Sequence, residues 1–303
     1  MWFKNLLIYS FTKPFTLSPD ELDLLLANKT FAPCGSQDLS TRGWVAPIGL
    51  DDAPLVHAAN GCLMLCLQRQ DKVLPAAVVN DFLAEKVAEI KEREDRQVGR
   101  KERQEIKDQV VFELLPRAFS RSGRLFAYID PAKGLLVVNS SSHNRAEELI
   151  NYLRETIGSL PLIPLKAKNV AQHSMTHWLK SESAPEGFAI GGECELRDNA
   201  DESAVIRCKN QNLHSQEIRN HIESGMFASR LELAWEGGIE CVVDDQLSVK
   251  RLKFTDLIMD RIKDVETETA AEQFDVDFTL MTGEFARFIP ALVAAFGGPD
   301  DGE

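Results

Sequence analysis

Apolar and polar positions alternate through the opening segment "FKNLLIYSFT", a period of two that predicts a first β-strand. Ser18 and Pro19 then stand ahead of "ELDLLLANK". A side-chain cap followed by a residue whose fixed φ suits the first helical turn predicts a helix start there. The proline- and glycine-bearing stretch "FAPCGSQDLSTRGWVAPIG" reads as a long loop, and "GCLMLCLQRQDKVLP" as a strand running into a turn. From Ala76 to about Val98 the pattern becomes helical and heavily charged, with Phe82, Leu83, Val87 and Ile90 as its apolar stripe. Gly99 interrupts it, and a second amphipathic helix with Ile106, Val110 and Val111 inward runs to Pro116. The pair forms a helical hairpin whose stripe is narrow. It suits a projection packing on a partner and a solvated hairpin lying on its own body equally well.

Beyond the hairpin, "RLFAYIDPAKGLLVVNSS" reads as two strands turning at "DPAKG", "HNRAEELINYLRETIG" as a helix stopped by Gly158, and "SLPLIPL" as a short extended piece. The polar stretch "LKAKNVAQHSMTHWLKSESAPEG" reads as irregular and marks a boundary. Strand patterns follow at "CELRD", "VIRCKN", "RLELAW", "IECVVDD" and "SVKRLKF", with a capped helix "HSQEIRNHIESG" among them. Two helices, around 256–274 and 284–296 and separated by "FDVDFTLMTG", close the chain. This order predicts an α+β protein of mostly antiparallel sheets with flanking helices and a projecting helical hairpin. The expected division is an N-terminal α+β body over 1–77 and 114–166, a hairpin tip over 78–113, and a C-terminal α+β half over 167–303.

Composition adds bounds. The 303 residues, 44% hydrophobic and 27% charged, match a folded chain rather than a disordered one. The N-terminus lacks a basic lead and a small-residue cleavage site, and no apolar run approaches the roughly 18 residues that span a bilayer, so a cytoplasmic protein with no membrane partner is expected. The six cysteines are scattered and expected as thiols. The formal net charge of −13 is uneven: from Asp256 onward twelve acidic residues face Arg261, Lys263 and Arg287, a net of −9, which leaves −4 to residues 1–255. A basic face elsewhere therefore remains compatible with an acidic whole.

Catalytic patterns are scarce. No phosphate-binding G-x-x-x-x-G-K-[ST], dinucleotide G-x-G-x-x-G or G-x-S-x-G elbow occurs. His173 and His177 have zinc-compatible spacing, yet Ser174 stands where a metalloprotease has glutamate, and no third ligand is near. His214 and His221 suit a helix cap and a half-buried surface position. Cys62 and Cys66 suit a core strand, and Asp244, Asp245, Asp275 and Asp277 turns and strand ends. No cofactor or metal is expected.

What remains is cationic and aromatic. In an extended "RAFSR", Arg117, Phe119 and Arg121 fall on one side, with Arg124 a little beyond. The same parity groups Arg207, Lys209 and Gln211 in "VIRCKNQ", and "SVKRLKF" adds Lys250, Arg251 and Lys253; few acidic residues interleave along the chain. Arginine reaches phosphate oxygens bidentately, and an exposed phenylalanine stacks on bases. Burial of Phe119 as a core anchor is the alternative.

The motifs "FAPCGSQDLSTRGWVAP", "LLPRAFSR", "GSLPLIPL", "VIRCKNQNL", "VKRLKF" and "FDVDFTLMTGEF", in this order, resemble the bacterial recombination-associated RdgC family over essentially the whole chain. The resemblance implies a nucleoid-associated DNA-binding protein without enzymatic activity. Such a protein binds duplex DNA with little sequence preference, leaves single-strand binding open, and restrains the RecA recombinase. It also implies a horseshoe subunit that closes with a second copy into a two-fold ring, the hairpin serving one contact and the C-terminal half the other, around a cationic lumen. Carried over to the lumen are Arg117, Phe119, Arg121, Lys209 and Gln211, with the cations of "VKRLKF" less securely placed. Asn210 departs from the second basic residue that family members often carry before the glutamine, which bears on the strength of that contact. Two other classes stay open. One is an interaction module that docks on recombinase or replication proteins with incidental DNA affinity; the other is an enzyme acting on a phosphorylated substrate, for which no nucleophile, base or metal constellation appears.

Overall fold

The computed structural model describes residues 1–50, 52–198, 203–263 and 267–300. Its larger sheet is built on two long strands, β4 (Cys62–Val73) and β5 (Phe119–Asp130), paired antiparallel from Leu63 opposite Ile129 to Val73 opposite Phe119. Around them lie β1 (Leu7–Phe11), β2 (Ser40–Val45), β3 (Val56–Ala59), β6 (Leu135–Val138) and β7 (Leu162–Pro164). The order is β2-β4-β5-β6-β1-β7, with β3 also on β4 and every registered pair antiparallel. The period of two splits this sheet between two cores. Leu63, Leu65, Leu67, Leu125, Ala127 and Ile129 pack with helices α1 (Pro19–Ala27) and α4 (His143–Ile157), whereas Ile8, Met64, Tyr128 and Val137 point the other way. Helix α1 begins as its sequence predicts: the Ser18 hydroxyl accepts from the Glu21 amide at 3.3 Å, and the Glu21 carboxylate accepts from the Ser18 amide at 2.9 Å.

The second sheet has the order β12-β11-β10-β8-β9, from β8 (Phe188–Asp198), β9 (Val205–Cys208), β10 (Met226–Trp235), β11 (Ile239–Asp244) and β12 (Val249–Phe254). Helices α5 (Ala171–Ser181) and α6 (Gln216–Glu223) pack on its inner face, and α7 (Asp256–Lys263) follows β12. Backbone bonds tie the sheets: Leu6 and Val249 exchange two, at 2.8 and 3.0 Å, and the Leu252 amide donates to Lys4 at 2.8 Å. Helix α8 (Ala270–Ala295) runs between them, with Phe278, Met281, Phe285, Phe288, Leu292 and then Phe296 buried in a core that both sheets share.

Three sequence expectations need correction. The stretch read as one loop contains β2, where Trp44 is buried. Gly43 allows the strand to cross Phe31, since a Cβ there would lie 2.4 Å from the Phe31 backbone. The boundary segment read as irregular contains α5, whose Ala171, Met175, Trp178 and Leu179 form a helical stripe that the intervening polar residues obscure. The two closing helices around "FDVDFTLMTG" are the short α7 and the single long α8. "FDVDFTLMTG" alternates like a strand, but Phe274, Phe278, Met281 and Phe285 also recur at helical spacing, and burial of that stripe decides. Thr269 and Glu272 form its capping box. By length and composition α8 could cross a bilayer, but its aromatic stripe lies in the protein's own core.

The expected hairpin is present as α2 (Ala76–Glu94) and α3 (Arg100–Leu114), inserted between the far ends of β4 and β5. Val79, Leu83, Ile106 and Val110 close its own small core, with Val87, Ile90 and Val111 partly buried against it. Phe82, expected inward, is instead exposed, because Val79 and Leu83 occupy the face turned to α3.

Candidate nucleic-acid interface

Leu115 anchors the end of the hairpin: it is buried and opens a 3-10 turn, Leu115–Arg117, after which Ala118 returns the chain to extended backbone. Arg117 thus leaves from the turn, so the expected strand parity with Phe119 and Arg121 holds only for the latter two. From Phe119 to Arg124 every residue of β5 is exposed. Phe119 has 86% of its surface free, which removes the core-anchor alternative, and the exposed Val73 stands opposite it on β4. An aromatic side chain this open makes an apolar tip that Arg117 and Arg121 flank.

Arg121 is opposite Asp71, but that carboxylate bonds Arg69 Nε at 2.8 Å. Arg69 also reaches Glu148 of α4 at 2.7 Å, and Arg42 reaches the same carboxylate at 3.3 Å. Arg117 and Arg121 make no ion pair with any described residue. Arg69, Asp71, Arg121, Arg145 and Glu148 line a cleft of about 470 Å³ beside the ribbon, so cations outnumber acids there. Sequence reasoning missed Arg42, Arg69 and Arg145; the polar end of β4, "QRQDK", pointed to Arg69, while Arg42 on β2 and Arg145 on α4 join it only in the folded chain. Arg124 belongs to the opposite face: its Nε donates to Gln68 Oε1 at 3.1 Å, beside Gly49.

On the second sheet the charges read differently from their spacing. Strand β9 stops at Cys208, so Lys209 and Gln211 do not continue the parity of Arg207. Asn210 takes a left-handed φ of 52°, and the Gln211 amide donates to the Gly192 carbonyl at 3.1 Å, leaving the side chains of Lys209 and Gln211 exposed. Arg207 bonds Glu195 at 2.9 Å, and Arg197 and Arg230 converge on the same carboxylate at 2.9 and 3.3 Å. Burial alone would push the Glu195 carboxyl up. The bonds from Arg207 and Arg197, the charge of Arg230 and the Ser229 hydroxyl outweigh it and hold the group down at about 2. Lys250 sits 2.8 Å from Asp244, which the Gln246 and Ser248 amides also bond. Arg251 occupies a bulge at φ 52° and pairs with Glu193, and Lys253 is registered opposite Glu240. The near-absence of interleaved acids is therefore a property of the linear chain alone: the adjacent strands supply Glu195 to Arg207 and Asp244 to Lys250, and Glu193 of β8, beyond β11 and β10, pairs with Arg251.

The other candidates resolve simply. His173 and His177 lie exposed on α5, and among the described residues no group of three or more His, Cys, Asp or Glu side chains is placed to hold a metal ion. Cys62 and Cys66 are buried thiols that desolvation pushes up to about 12. Asp244 holds the β11–β12 turn as expected, whereas Asp275 and Asp277 lie on helix α8 rather than at a strand end.

Residues 1–299 match the family model described as "Putative exonuclease, RdgC". The chain belongs to the RdgC family. Relatives curated as "Recombination-associated protein RdgC" run its full length. That of Tolumonas auensis is 42% identical over 98% of this chain and 99% of its own, and that of Pseudomonas putida GB-1 is 44% identical over 99% and 98%. The relative from Yersinia pestis Pestoides F is 40% identical over 98% of both chains. The RdgC names thus carry two ideas, an exonuclease in the family description and an association with recombination in the relatives.

Proposed function

We propose that this protein binds duplex DNA without reading its sequence and, by occupying the duplex, restrains strand exchange by the RecA recombinase. The observation that carries the reading is Phe119, 86% exposed at the ribbon tip with the unpaired Arg117 and Arg121 on either side. A side chain this apolar gains from stacking on or wedging between bases, and guanidinium groups free of carboxylates are available to phosphates. Lys209 and Gln211 form the second contact. Arg124, Arg207, Lys250, Arg251 and Lys253 contribute mainly to the field around it, since three of them already hold carboxylates.

Two copies related by a two-fold axis would close a ring around the duplex, which lets cations line a lumen while the acidic C-terminal section faces outward. The reading is non-enzymatic, since occupying the duplex requires no bond of the DNA to break.

Fluorescence anisotropy on two unrelated linear duplexes across a salt series tests it. Equal affinities are expected, and Arg117→Ala with Arg121→Ala should make the log–log salt slope shallower by about 3.6, the loss of two phosphate contacts from each of the two copies. Sequence-dependent affinity, or a double variant that binds like the parent, would overturn the reading; shortening of an end-labelled duplex in magnesium or manganese would overturn its non-enzymatic part.

A further inference from the structure

Strand β9 is a four-residue edge of the second sheet, paired with β8. Within that short pairing, Cys208 is registered directly opposite Cys194. Opposed residues of an antiparallel pair have Cα atoms about 4.5–5.5 Å apart, inside the roughly 4.4–6.8 Å that a disulfide spans, and their side chains share a face. Cys208 is a near enough neighbour of the Cys194 thiol to raise it. The chain's other cysteines lack this arrangement: Cys62 and Cys66 succeed each other along β4, Cys241 is opposite Leu233, and Cys34 lies in the loop before β2. Cys194 is buried, while Cys208 is half-exposed on the edge.

We propose that Cys194 and Cys208 form a reversible cross-strand disulfide, with a peroxide as oxidant and Cys208 as the thiol that meets it. The Cys208 sulfur, as thiolate, attacks one peroxide oxygen; the O–O bond breaks, the departing oxygen leaves as water with the thiol's proton, and Cys208 becomes a sulfenic acid. The Cys194 sulfur then attacks the Cys208 sulfur. The S–S bond forms, the S–O bond breaks, and the hydroxyl leaves as a second water with the Cys194 proton. Two thiols lose two electrons in all, and one peroxide becomes two waters. The division of labour follows the surroundings: burial and the neighbouring Cys208 hold the Cys194 thiol up at about 12, which keeps it from meeting the peroxide first, and the second step depends instead on its direct opposition to Cys208. The link would clamp β9 to β8 where the chain leads into Lys209 and Gln211. The modification itself stands independently of any role of those residues in binding DNA.

The full-length protein, treated with increasing hydrogen peroxide, alkylated and digested without reduction, gives the test by peptide mass mapping. The expected product is a Cys194 peptide joined to a Cys208 peptide within one chain, with loss of two hydrogens from the intact mass and recovery of both thiols in dithiothreitol. Cys208→Ser, at the half-exposed position, should remove the link while leaving the circular dichroism spectrum unchanged. In Cys194→Ser, dimedone should trap Cys208 as the sulfenic acid. Both thiols still alkylated after peroxide, Cys208 joined instead to Cys34 of a second chain, or Cys208 carried to the sulfinic acid beside an intact Cys194 thiol would each overturn the proposal.

Discussion

Glu195→Gln tests whether the cations of the second sheet act in structure as the ion-pair geometry says. The Glu195 side chain is only 4% exposed and takes bonds from Arg197, Arg207 and Ser229, with Arg230 at 3.3 Å. Its carboxyl is held at about 2 where an unperturbed glutamate titrates near 4.5, and that difference corresponds to about 3 kcal/mol favouring the folded state at neutral pH. Glutamine keeps the shape and removes the charge, leaving three guanidinium groups facing one another. At pH 7 the variant should therefore unfold in urea with a free energy about 3 kcal/mol below the parent's. The pH dependence has a definite sign. A carboxyl whose pKa is lower in the folded chain contributes fully above the unfolded value, and the contribution fades as pH falls from about 4.5 towards 2. The gap between parent and variant should thus be near full at pH 5 and below about half by pH 3. Urea titrations at a series of pH values measure it. A gap under about 1 kcal/mol at pH 7, or one that stays constant to pH 3, would refute the account of this cluster.

Phe119→Ala should leave the unfolding free energy within about 0.5 kcal/mol of the parent, since the side chain is exposed, while weakening duplex binding by about 1–3 kcal/mol in anisotropy. A loss of stability in place of a loss of affinity would return this residue to a packing role. Gly43→Ala forces a methyl to within 2.4 Å of the Phe31 backbone, where rigid main chain rather than a flexible side chain must shift; calorimetry should show a destabilisation of at least 1–3 kcal/mol, and an unchanged transition would contradict the close crossing.

The sequence by itself determined the parts whose causes are local. Ser18, Pro19 and Glu21 start α1 because capping involves neighbours three residues apart, and Gly158 stops α4 because its φ of 86° suits a residue without a side chain. Period-two patterns marked β1, β4 and most strands of the second sheet, and the charged hairpin was legible from its stripe and its breaker. Family motifs spread along the chain were legible too, being short and contiguous. The candidate site was only half legible. That Phe119 and Arg121 share a face follows from strand geometry, but whether they are exposed depended on where α4 stops covering the ribbon.

Only the tertiary structure decided which cations are free. Glu195 is twelve positions from Arg207 and Glu193 fifty-eight from Arg251, so no window along the chain brings them together. The folded sheet does: Glu195 and Arg207 are cross-strand neighbours, and Glu193 and Arg251 meet although β10 and β11 lie between their strands. The same holds for α8, whose "FDVDF" stretch alternates like a strand until two sheets close on one helical stripe, and for Cys194 and Cys208, which become a pair only once β9 takes its register on β8. Local pattern fixes what an element can be; the burial of one face against another fixes which residues meet, since contact energies exceed local preference.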